Sequence, residues 1–368
     1  MTAPKRLQLD FIDGLRAAAA LYIVVHHSLQ AADYFPSNLA YMGRGHDVVA
    51  VFIAISGFCL VLPLAQRGDW NLQAGRFYQK RMRRILPPYY ATVAIALLIV
   101  LAYSYKDYPQ DYAGVPLSWS MIVSHLLLVQ NWVRGQVYTL DGPLWSIAVE
   151  CQIYILFPLL VILWRRTGRW LALFVIFILA HSLLYATHHG GSANFLFLFG
   201  EGMLGADLAY SERYRMWLGP ATLLSFAGYC FCSLYPTYVV TDIFTGLSTS
   251  LLMAYLTQNR SHWGNRLLGW KPLAWIGTFS YSLYLVHSFL QVPLKRWILA
   301  HDIGRLAELH GYMALFMVVV VAPIAVAASY GFHVIFERPF MSPRRQKAEL
   351  RLAPALEPPE VSCAPKVS

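Results

Sequence analysis

The sequence predicts an all-α polytopic membrane protein, a bundle of about ten transmembrane helices with both termini in the cytoplasm. Three observations carry this expectation. Of 368 residues, 57% are hydrophobic and only 13% are charged, a balance outside the range of ordinary soluble domains. The apolar residues fall into ten runs, each close to the length of a bilayer crossing: 15–30, 47–65, 88–104, 143–164, 170–186, 194–209, 217–234, 238–257, 273–292 and 311–336. The basic residues lie between those runs rather than along one polar face.

The placement of charge settles the topology. The stretch 117–133 is apolar but carries His125, Gln130 and Asn131, and reads as either an eleventh span or an interfacial helix. If it does not cross, all but Arg44, Lys106, Arg134, Lys295, Arg296 and Arg305 of the 29 basic residues face the cytoplasm, as the positive-inside rule expects. If it crosses, Arg165, Arg166 and Arg169 face outward, so ten spans are favoured. The net charge of +10 is thereby explained by cytoplasmic loops, with no nucleic-acid partner called for. The first run follows a polar start and lacks a cleavage site, which reads as a retained signal anchor. Residues 1–340 form one membrane domain. Residues 341–368 are charged and Pro-rich (Pro354, Pro358, Pro359, Pro365) and are expected to be a disordered cytoplasmic tail. The five cysteines show neither CxxC pairing nor zinc-ligand spacing, and no metal is expected.

Ionisable residues inside apolar spans are costly and mark candidate functional sites. Arg16 precedes His27 by eleven positions, about 16 Å along a helix, which puts a guanidinium near the inner edge and an imidazole deep in the membrane. The neighbouring His26 is an alternative that spacing does not exclude. A second group, Lys80, Arg81, Arg83 and Arg84, stands just before the third span, with Arg81 and Arg84 on one helical face. It reads as a topology signal or as a cradle for a polyphosphate ligand. Glu150, in Trp145-Ser146-Ile147-Ala148-Val149-Glu150, shares a face with Ser146 and Tyr154, and could orient His27. Ser280, Tyr284 and His287 form one polar stripe on an otherwise apolar helix, suited to lining a substrate passage or to joining helices. Glu201 and Asp207 lie among glycines that let helices approach closely, and Glu337 in Glu337-Arg338-Pro339-Phe340 falls at the inner interface. Buried His and Glu also suit a proton-coupled transporter or flippase, the rival function class, but neither two related halves nor interrupted spans are evident.

Taken in order, these segments resemble the acyltransferase-3 family of integral membrane acyltransferases. The resemblance rests on Asp13-Gly14-Leu15-Arg16 with His27, on Val51 to Phe58, on Arg81 to Pro87, on Leu144-Trp145-Ser146 to Glu150, on Ser280 to His287, and on Glu337-Arg338-Pro339-Phe340. It implies transfer of an acyl group, usually acetyl, from cytoplasmic acyl-CoA to a hydroxyl of a carbohydrate or glycolipid acceptor such as lipopolysaccharide or exopolysaccharide. It also implies a multi-pass protein of the bacterial inner membrane, in contact with lipid and compatible with a homo-oligomer. Under the resemblance His27 and Glu150 are catalytic and Arg81 and Arg84 hold the CoA; the topology adds Arg16 to the CoA phosphates and lets the acceptor enter along the Ser280, Tyr284 and His287 stripe. Cys151 stands where the family commonly has a second acidic residue, which leaves any role of that acid in doubt here. The esterase-like domain fused to some members is absent from this sequence, so a stand-alone transferase or one with a separate partner is expected.

Overall fold

The computed structural model describes residues 9–35, 41–102, 117–187, 192–235, 238–300 and 310–353, and no strand occurs among them. The Pro-rich stretch from Pro354 onward, Lys106 and Arg305 lie outside the described residues.

The chain runs as α1 (Asp10–Ala31), α2 (Gly45–Arg67), α3 (Ala74–Ala102), α4 (Trp119–Leu126), α5 (Leu144–Thr167), α6 (Arg169–Thr187), α7 (Phe195–Leu208) and α8 (Arg215–Cys232). It continues as α9 (Tyr238–Gln258), α10 (Trp263–Leu268), α11 (Lys271–Thr278), α12 (Ser280–Val286), α13 (Ser288–Ala300), α14 (His310–Phe316), α15 (Ala322–Phe332) and α16 (Pro343–Leu352). Among the described residues, five stretches are long and apolar enough to cross a bilayer: α2, α3, α5, α9 and the continuous run Gly311–Phe340, which includes α15 and two π-helical turns. Half the expected number thus meets the criterion: α1 and α8, of 22 and 18 residues, are long enough but not apolar enough, α7 has only 14 residues, and the run 273–292 is interrupted.

Local chemistry explains the boundaries. Asp10 and Asp13 occupy the first turn of α1, where carboxylates complement the helix dipole. Gly68 ends α2 at φ 64°, the left-handed position that favours glycine. α3 begins at Ala74 rather than at the Pro87-Pro88 pair where the sequence reading starts its third span. The prolines lie inside one helix, so Arg81 and Arg84 ride on the same rigid element as the apolar segment. α4 has eight residues and covers about 12 Å, far short of the hydrocarbon core. Instead of crossing, the segment folds back on the bundle: the Tyr89 hydroxyl donates to the His125 carbonyl at 2.9 Å, and the Gln130 amide donates to the Leu144 carbonyl at 3.1 Å.

Two expectations need correction here. Residues 273–292 read as one span but form α11, α12 and α13, with breaks at Phe279 and His287. Thr278 and Ser280 donate their hydroxyls to the Trp275 and Gly277 carbonyls, an alternative to the helical ladder at the first break. Residues 343–352, expected to be disordered, form α16, capped by the Ser342 side chain and tied down by ion pairs from Arg345 to Asp13 and from Arg351 to Asp10. Local composition reads as tail, but the charges that hold it lie more than 300 residues away.

α2, α7 and α9 pack tightly on one another. Gly57 and Gly202 face each other's helices: a Cβ on Gly57 would collide with the Phe199 carbonyl, and one on Gly202 with the Ala54 carbonyl. Neighbouring backbones can approach this closely only where side chains are absent. Gly202→Leu is therefore expected to force α2 and α7 apart and cost about 3 kcal/mol. Thermal unfolding in detergent checks this, and an unchanged midpoint would refute the close-approach argument.

Candidate active site

A cavity of about 840 Å³, its open mouth included, opens between α1, α2, α3, α5 and α12. It is lined by Arg16, Arg81, Arg84, Glu150, Ser280 and Tyr284 among others. Five elements widely separated in the chain thus bring six of the eight sequence-predicted residues to one chamber. His27 and His287 are not among its lining residues.

At one end lie the guanidiniums. Arg16 points an Nη toward Asp13 at 3.4 Å and another toward the Cys59 sulfur at 3.4 Å. Arg81 lies over the rings of Phe77 and Tyr154, its guanidinium carbon 6.0 and 5.8 Å from their centroids. These cation–π contacts fix its direction without neutralising it. Arg84, one helical turn on, stands within electrostatic range of Arg16, Arg81 and Glu337. Three cations and the carboxylate of Glu150 line the chamber, so its field favours an anion.

Glu150 occupies the middle. Its Oε1 accepts from the Ser56 hydroxyl at 2.8 Å and from the Tyr154 hydroxyl one turn along α5. The i,i+4 relation of Glu150 and Tyr154 was legible in the sequence; Ser56, from the apolar run of α2, was not. Glu150 therefore holds two hydroxyls beside the cavity, and its hydrogen bonds go to them rather than to His27. Further along, Ser146 and Tyr284 share a hydrogen bond of 2.7 Å between α5 and α12, and Tyr281 donates to the Ile85 carbonyl at 3.1 Å. Ser280 donates back to Gly277, which leaves its oxygen to accept from a ligand.

The histidines lie beyond Tyr284. Its ring centroid is 6.1 Å from that of His287, which in turn is 5.1 Å from His27. His287 is fully buried; its Nδ1 donates to the Leu283 carbonyl at 3.1 Å, and its Nε2 has no partner. His27 is half-buried, with Nδ1 on the Gln30 side-chain oxygen at 2.9 Å. In each ring Nδ1 carries the hydrogen, so each Nε2 presents a bare lone pair. His26 does different work. Its Nδ1 donates to the Met42 carbonyl at 2.7 Å and its ring packs against Gly45, tying the end of α1 to the start of α2. Asp141, which the sequence reading passed over, accepts a hydrogen bond from Ser288 beside His287, and its other oxygen is buried without a partner. No cluster of His, Cys, Asp or Glu able to hold a metal ion occurs among the described residues.

A family model described as "Acyltransferase domain" matches residues 9–334, the stretch that builds this whole chamber. The chain belongs to the acyltransferase-3 family. Among curated relatives, the Bacillus subtilis protein YrhL is 26% identical over 319 residues, covering 75% of this chain and 47% of that protein. The peptidoglycan O-acetyltransferase OatA of Listeria monocytogenes is 25% identical over 323 residues, 78% of this chain and 50% of its own length. The acyltransferase MdmB of Streptomyces mycarofaciens is 25% identical over 401 residues, covering 99% of each chain. This chain thus spans about half the length of the first two relatives and nearly all of the third. No solved structure matches it.

Proposed function

We propose that this acyltransferase-family protein is a membrane O-acetyltransferase that takes an acetyl group from cytoplasmic acetyl-CoA and delivers it to a carbohydrate hydroxyl. The observation that carries this reading is the single chamber that joins Arg16, Arg81 and Arg84 to Glu150, Ser280 and Tyr284. The phosphates of CoA meet the three guanidiniums through charge-assisted hydrogen bonds. The pantetheine arm passes Glu150, whose hold on Ser56 and Tyr154 fixes the hydroxyls along its path. The acceptor enters from the other end, past the bare Nε2 of His287 and the hydroxyl of Tyr284, while Ser280, held near the Asp13 backbone through Gly277, stands toward the guanidiniums.

His27 is the base. Its Nε2 takes the proton of the acceptor hydroxyl as that oxygen attacks the thioester carbonyl. The C–S bond breaks, CoA leaves as a thiolate, and the proton held by His27 is returned to it. The Gln30 oxygen keeps the ring in the tautomer this requires. The acceptor belongs to the carbohydrate class. The name of the Listeria relative points to peptidoglycan, which joins lipopolysaccharide and exopolysaccharide as acceptors to try. The basic inner loops and the bundle suit the inner membrane with both termini in the cytoplasm.

The test is purified protein in detergent or nanodiscs with radiolabelled acetyl-CoA and fragments of each glycan. Release of CoA together with label on the glycan supports the reading. Absence of transfer to every carbohydrate, in protein shown to be folded, would overturn it.

A further inference from the structure

α16 is bound to the same end of the bundle as the guanidiniums. Arg345 grips Asp13 with both nitrogens of its fork, at 2.7 and 3.3 Å. Asp13 is also the carboxylate beside Arg16. Arg345 stands in electrostatic range of Arg84 as well, so it belongs to the same crowd of cations as Arg16, Arg81 and Arg84. Like charges packed together repel, and the carboxylates that offset these four cations, Asp13, Glu150 and Glu337, are outnumbered. The Nε of Arg345 is buried and has no hydrogen-bond partner. An unmet donor on a cation, within a cluster already short of negative charge, is unused capacity for an anion.

The rest of α16 is anchored independently of Asp13. Glu349 is buried against His333 Nε2 at 3.3 Å and faces Arg338 Nε at 3.7 Å, while Arg351 pairs with Asp10 at 2.6 Å. His333 in turn contacts Glu337 at 2.8 Å, and Ser282 donates to that same carboxylate at 2.6 Å. The helix therefore keeps its place when Arg345 shifts its fork.

We propose that α16 forms a wall of the donor site and that Arg345 adds a further guanidinium to the phosphates of CoA, exchanging part of its grip on Asp13 for them. This rests on the acetyl-CoA reading above. Asp13 serves as the counter-ion of Arg345 until the donor binds and displaces it from one nitrogen of the fork.

The experiment is equilibrium binding of coenzyme A itself to the purified full-length protein. Arg345→Gln is expected to weaken binding about tenfold, the effect of losing one charged hydrogen bond. Lys347→Gln removes an equal charge from an exposed position of the same helix and is expected to change it by less than about twofold. Should Arg345→Gln fail to fold, Arg345→Lys, which keeps the charge but loses the fork, is read in the same way. Wild-type affinity in the Arg345 variant beside weakened binding in Arg84→Ala would overturn this inference alone. No binding by the wild-type protein would overturn the donor reading on which it rests.

Discussion

Replacing His27 with alanine is expected to lower acetyl transfer by about a thousandfold, the range lost when a general base is removed. The structure makes this a test of one ring rather than of the doublet. His27 meets the Gln30 oxygen through Nδ1 and turns toward His287, leaving Nε2 with its lone pair free. His26 spends its Nδ1–H on the Met42 carbonyl and its face on Gly45. His26→Ala should therefore loosen the junction of α1 and α2, lowering thermal stability while most of the transfer rate survives. The measurement is CoA release with acceptor present, run beside a melting curve for each variant. Wild-type turnover in a folded His27→Ala protein, or a dead but stable His26→Ala protein, would move the chemistry away from His27.

Arg84→Ala is expected to weaken donor binding by about tenfold or more, since a charged group at a phosphate contributes well beyond an ordinary hydrogen bond. Arg84 sits among Arg16, Arg81 and Arg345, with Glu337 as an opposing charge in electrostatic range. Its removal takes a phosphate partner from the cavity and also leaves Glu337 more dependent on His333 and Ser282. The defect should appear in KM for acetyl-CoA and recede at saturating donor, and the wild-type affinity should fall as salt is raised. Unchanged affinity in the variant would mean that the cluster serves topology and lipid headgroups alone.

The membrane character and six of the side chains that line the chamber were legible because they are written in local pattern. Hydropathy marks apolar runs, and each of Arg16, Arg81, Arg84, Glu150, Ser280 and Tyr284 stands in or beside a run where a polar group is conspicuous. The family resemblance read from those segments agrees with the match over residues 9–334. Partners were less legible. Glu150 was expected to orient His27, yet it binds Ser56 from α2 and Tyr154 from its own helix. Ser56 gave little signal, because one hydroxyl in an apolar helix is common and usually bonds its own backbone.

By itself the sequence determined an all-helical membrane chain, its basic loops and six of the polar side chains that line the chamber. These follow from composition and spacing, which act over a few turns of helix. Only the tertiary structure decided that 273–292 breaks at Phe279 and His287, that 117–133 folds back on the bundle, and that residues 343–352 fold onto the cation cluster. The last two depend on partners outside their own segment: Leu144 for Gln130, and Asp13 for Arg345. A pairing across 332 residues is set by how helices pack, and no local pattern of side chains encodes it.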